Sequence, residues 1–261
     1  MATTYELQSN PENNRNNKKS SSETGHAKNV ANFQNLIAFV KAYGTTYNPS
    51  KEALKVPQLE TLLNNAQSSL GNVVDQNTTY NTKVNDRLNA FSGLKALSTR
   101  LINALQTTDA TDELVNDAKG FNRKLQGQRS TPTATSPLDP NAPAPNTIST
   151  SQQSYTQQLQ HFAGLIAILK TEPSYTPNED DLKITTLEAK QTDLATKNDE
   201  VANAYVEVSN ARIARNATLY TKPDSIFEIA SEVKKYIKAV YGATSPEFAQ
   251  VKGIEFKKPK V

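Results

Sequence analysis

Two stretches of this chain match each other at an almost constant spacing. Phe33, Leu36, Ile37, Val40 and Lys41 find counterparts in Phe162, Leu165, Ile166, Leu169 and Lys170, 129 residues on. Tyr47, Pro49, Leu54, Lys55, Leu59 and Glu60 are matched by Tyr175, Pro177, Leu182, Lys183, Leu187 and Glu188, 128 residues on. Past a short insertion near Pro223 the pattern resumes, with Leu94, Leu97, Leu101 and Leu105 against Ile226, Ile229, Val233 and Ile237. Lys119-Gly120 then answers Lys252-Gly253. A unit repeated in this way sets the architecture before any local propensity is weighed. The expectation is an internal duplication, with one helical copy over 26–126 and a second over 154–256.

Each copy reads as three helical stretches. The first, about Lys28 to Tyr43, places Phe33, Leu36, Ile37, Val40 and Tyr43 at spacings of three and four, which puts them on one face of a helix. Gly44 and Asn48-Pro49 break it. In the second stretch Leu59, Leu63, Ala66, Leu70, Val73, Asn77, Tyr80, Val84, Leu88 and Phe91 form a continuous seam, as in a coiled coil. Ser92-Gly93 is a point of interruption. A helix of about 35 residues is roughly 50 Å long. The third stretch has its start signals at Thr111-Asp112-Glu113 and at Ser245-Pro246-Glu247, a hydroxyl cap followed by acid or Pro. Thr185-Thr186-Leu187-Glu188 fits a capping box. The fold expected is all-α, an elongated antiparallel helical bundle from two duplicated three-helix units. Around them lie an N-terminal arm (1–25) too polar to offset its ordering entropy, a Pro/Thr/Ser-rich linker (127–153) and a basic tail (257–261) expected to be solvated.

Composition narrows the chemistry. There is no Cys, which removes disulfides, thiolate metal sites and a Cys nucleophile. Net charge is +3, with both signs interspersed, whereas a nucleic-acid binder would carry a basic face. The first 23 residues hold no apolar core of a Sec-type signal. The expectation is a cytoplasmic protein, or one exported without such a signal.

Motifs for catalysis or ligand binding are few. His26 and His161 occupy unrelated repeat positions, and neither belongs to a zinc-type spacing. His161 reads as a boundary residue of its helix. No phosphate loop, dinucleotide fingerprint or nucleophile elbow occurs. Asn178-Glu179-Asp180-Asp181 lacks the Gly of a calcium loop and reads as acids at a helix start. Arg87 and Arg215 fall at equivalent positions, each expected to lay its stem along the seam while the guanidinium meets an acid such as Asp86 or a neighbour across the bundle; the alternative is a symmetric anion or partner site. No catalytic, cofactor-binding or metal residue is expected. Leu36-Ile37-Ala38-Phe39-Val40 and Gly164-Leu165-Ile166-Ala167-Ile168-Leu169 are the most apolar segments, read as core helices too short to span a bilayer.

Thr24-Gly25-His26-Ala27-Lys28-Asn29-Val30-Ala31-Asn32-Phe33, Tyr47-Asn48-Pro49-Ser50 and Tyr241-Gly242-Ala243-Thr244-Ser245-Pro246-Glu247 resemble an uncharacterised, cysteine-free family of helical proteins from Bacteroidetes-type bacteria. The resemblance implies a bacterial helical fold and supplies no site residues. The function expected is that of a non-enzymatic structural or interaction protein. It would self-assemble, form a scaffold or bind a protein partner, and it would need no nucleic acid or small-molecule substrate. The alternative is a membrane-active protein of the pore-forming helical type.

Overall fold

The computed structural model describes residues 23–128 and 153–258. Apart from their inner ends, the expected arm and linker lie outside the described residues, as do the last three residues of the tail. Among the described residues the structure is helical throughout, without a strand. Eight α-helices follow one another: α1 Glu23–Ala42, α2 Val56–Ser92, α3 Leu94–Leu105, α4 Asp112–Gln126, α5 Tyr155–Thr171, α6 Ile184–Asn216, α7 Ile226–Tyr241 and α8 Pro246–Lys252. Short 3-10 turns at Glu52–Leu54 and Asp180–Leu182 lead into α2 and α6. The interruption at Gly93 is real, so the stretch read as one second helix is two, α2 and α3.

The chain divides into two compact units. The first takes residues up to Asn72 and from Arg212 onward, and the second takes Val73–Ala211. Both divisions fall inside a helix, α2 and α6 respectively. The core of the first unit joins Phe33, Leu36, Leu59 and Ala66 to Ile229, Val233, Ile237 and Val251. The core of the second joins Leu94, Leu101, Leu105 and Leu125 to Phe162, Leu165, Leu187 and Leu194. Each core is therefore closed by chain segments far apart in sequence.

The same local contacts recur in both units. Tyr47 Oη donates to Leu54 O at 2.8 Å, and Tyr175 Oη to Leu182 O at 3.0 Å. Each hydroxyl thus ties down the 3-10 turn before a long helix. Burial raises the pKa of both phenols, that of Tyr175 to about 12, with Asp181 and Glu179 adding to the effect. Both remain donors. Lys41 pairs with Glu60 as Lys170 pairs with Glu188.

Helix ends follow ordinary chemistry. Thr111 and Ser245 cap α4 and α8, accepting from Leu114 N at 3.3 Å and Phe248 N at 3.1 Å. α4 ends on Gly127 at φ 76°, a left-handed position that favours glycine. There Gln153 Nε2 donates to Lys124 O at 2.7 Å, so the described ends of the Pro-rich segment meet. The expected capping box is not formed. α6 begins at Ile184, which places Thr185 inside the first turn, and Glu188 turns to Lys170 instead. The apolar seam of α2 also departs from expectation at Leu88, which is 56% exposed. At that level the covered face is carried by Arg87 and Phe91, both against the Tyr155 ring, and Leu88 lies at its edge.

Candidate functional site

A short segment outside the helices, residues 254–258, follows α8 in the first unit. It is held against α1 and α7 by side chains that address its backbone. Asn29 grips both backbone groups of Lys257: its Nδ2 donates to Lys257 O at 2.8 Å, and Lys257 N donates to its Oδ1 at 3.1 Å. Asn32 Nδ2 donates to Glu255 O at 2.6 Å. From α7, Lys234 Nζ donates to Ile254 O. Burial lowers the pKa of Lys234, with Glu255 acting in the opposite direction. Lys258 meets Glu228 at 3.1 Å and lies 4.4 Å over the Phe227 ring. Of the basic tail expected at 257–261, the described residues Lys257 and Lys258 are exposed, while Ile254 and Phe256, just ahead of it, pack on the core.

Behind Asn29 lies a buried polar group. Its Nδ2 also donates to Tyr220 Oη at 3.0 Å, and the same hydroxyl is 2.7 Å from His26 Nδ1. Tyr220 stands on a π-helical turn, Ala217–Thr221. Such turns insert a residue into a helix and re-aim the side chains beyond it. Arg215, just before it, is only 4% exposed, and its Nε and Nη2 lie 3.1 and 3.0 Å from Asn216 Oδ1. His26, 3% exposed, is thus a buried hydrogen-bonding residue.

The second unit has an apolar arrangement in the comparable place. Arg87 lies 4.2 Å over the Tyr155 ring, and Phe91 meets the same ring edge-on at 4.8 Å. Of the two partners expected for Arg87, Asp86 or a neighbour across the bundle, the contact seen is with a neighbour, an aromatic face, which suits a weakly hydrated guanidinium. His161 is not at a helix boundary but mid-way along α5, 8% exposed. Its buried Nε2 has no hydrogen-bond partner, and its pKa is lowered by burial and then by Lys124. The acids near 180 are used structurally. Asp181 forms a two-point pair with Arg100, and Asp180 meets Lys183 at 2.6 Å. Leu36, Ile37, Val40, Leu165, Ile166 and Leu169 are buried. Among the described residues no three or more acids or His gather as for a metal, and no helix is long and apolar enough to cross a membrane.

No family model, curated protein or solved structure matches the chain. Its surfaces are therefore what the functional reading rests on. In the second unit, α2 presents Val74 and Leu88, and α6 presents Tyr205 and Val206, at 61, 56, 60 and 52% exposure. Sequence reasoning placed Leu88 in the seam and so missed its exposure. Periodicity identifies a face, whereas exposure depends on what packs against it.

Proposed function

We propose that this chain is a non-enzymatic structural or interaction protein that associates with copies of itself through helix surfaces. The observation that carries the reading is the set of large apolar side chains left open on α2 and α6 of the second unit, Val74, Leu88, Tyr205 and Val206. Single exposed apolar residues are ordinary on protein surfaces; four of them on two long helices of one unit offer apolar footholds that a second copy can cover. Replacing Leu88 and Val206 together by Lys tests it. Both already face solvent, so the melting temperature should change little. The apparent association constant should fall by about tenfold or more, the equivalent of about 1.4 kcal/mol. Unchanged association would reject this surface.

We further infer that the architecture is a duplicated helical unit in antiparallel arrangement whose copies have exchanged their C-terminal halves. Each core joins the beginning of one sequence copy to the end of the other. The recurring Tyr–carbonyl and Lys–Glu contacts support the duplication. The π-helical turn supports it too, because it takes up the one residue by which Arg87 to Phe91 is shorter than Arg215 to Tyr220. The partners across the two cores favour the exchange by charge. Lys51 meets Glu232 at 2.5 Å, whereas Arg100, the match of Glu232, meets Asp181, two residues beyond Glu179, the match of Lys51. Were each copy closed on itself, Lys51 would lie near Arg100 and Glu232 near Glu179 and Asp181, like against like. Repulsion of that kind selects partners more than it adds stability.

A further inference from the structure

The contacts around residues 254–258 are those of a bound peptide. Asn29 and Asn32 on α1 and Lys234 on α7 address backbone N–H and C=O groups, which selects an extended conformation without regard to sequence. Sequence is read by alternate side chains, as successive side chains of an extended chain point to opposite sides. Ile254 and Phe256 turn to the core and Lys258 to Glu228 and Phe227, while Glu255 and Lys257 are exposed. Main-chain bonds for affinity and alternate side chains for specificity are the means by which grooves bind extended peptides. Asn29 is kept ready for this task by its further bond to Tyr220 Oη. Apart from Ile254 N, which donates to Val251 O at 3.2 Å, the segment joins α8 only through Gly253, so its remaining contacts are open to the same segment of another molecule.

We propose that the α1–α7 groove is a peptide clamp, and that its exchangeable ligand is the 254–258 segment of a second copy of this chain. This rests on the self-association reading and gives it a directional contact, segment of one molecule to groove of the next. In a single molecule the tethered segment competes at high effective concentration, so the clamp is normally self-occupied and exchange grows with protein concentration.

Two full-length variants test it. Asn29→Ala/Asn32→Ala weakens the groove, with the exposed change Glu228→Lys as an alternative should the buried Asn29 prove essential for folding. Ile254→Ser/Phe256→Ser weakens the segment. Circular dichroism establishes that each is folded, and light scattering reads association. Each variant alone should associate about tenfold more weakly than the parent. Their equimolar mixture should give a one-to-one complex tighter than the parent's, because one molecule offers an empty groove and the other a released segment. A mixture that associates no better than its components overturns the clamp. If parent and variants all associate equally, self-association stands and the clamp falls. If the mixture forms its complex while the parent stays monomeric, the clamp stands and self-association of the parent falls.

Discussion

At the scale of single residues, the account rests on what each side chain touches. Phe33 and Phe162 are fully buried, one in each core. Truncation of either to Ala should cost about 3–5 kcal/mol, read by denaturant unfolding. Gly164 is a sharper case. A Cβ there would lie 2.3 to 2.9 Å from atoms of the Phe121 ring. Gly164→Ala should therefore destabilise by about 1–3 kcal/mol through overpacking. Gly71, helical and open, has nothing within 4 Å of the place a Cβ would take, and Gly71→Ala should stabilise by up to about 1 kcal/mol. His161 gives a pH dependence. Burial lowers its pKa in the folded state, so below about pH 6.5, its unfolded value, the unfolded chain binds the proton more readily. Its contribution is fully present above that pH and is lost as pH falls through the folded value. His161→Gln should flatten the fall in melting temperature between pH 7.5 and 5.5, and an unchanged slope would refute the assignment. The Phe positions were legible because each opens the most apolar three-four pattern of its copy. The partner of Arg87 was not, because Asp86 is its neighbour in sequence whereas Tyr155 reaches it only through the fold.

At the scale of elements, local signals carried well and pairing did not. The caps at Thr111 and Ser245 and the break at Gly93 stand where hydroxyl, Pro and Gly chemistry puts them. α6 begins earlier than its Thr-rich start suggests, since the Tyr175–Leu182 bond fixes the preceding 3-10 turn and sets where the helix begins. Hydrophobic periodicity states which face of α2 is buried but not which helices cover it. The charges add that information. Lys51→Glu or Glu232→Lys alone should each cost no more than about 1 kcal/mol, because the pair is exposed. The double reversal should recover the loss in a double-mutant cycle. Additive losses, with no recovery, would show that the pair does not discriminate between partners.

At the scale of the whole molecule, the three-four apolar spacing made an all-helical fold legible from the start. It left open which segments close each core, because periodicity gives a helix face and not its partner. The segment at 254–258 was hidden for a related reason. Its charge reads as solvent-facing, and only the alternation of Ile254 and Phe256 hints at a bound, extended chain. These features motivate the proposal of a chain that acts by covering and being covered. Sedimentation velocity of the full chain over a wide concentration range tests that claim most directly. The account predicts a mass that rises from 28.6 kDa toward multiples of it as concentration increases, and a lower rise for Leu88→Lys/Val206→Lys. A single species at the monomer mass throughout, in parent and variant alike, would contradict it.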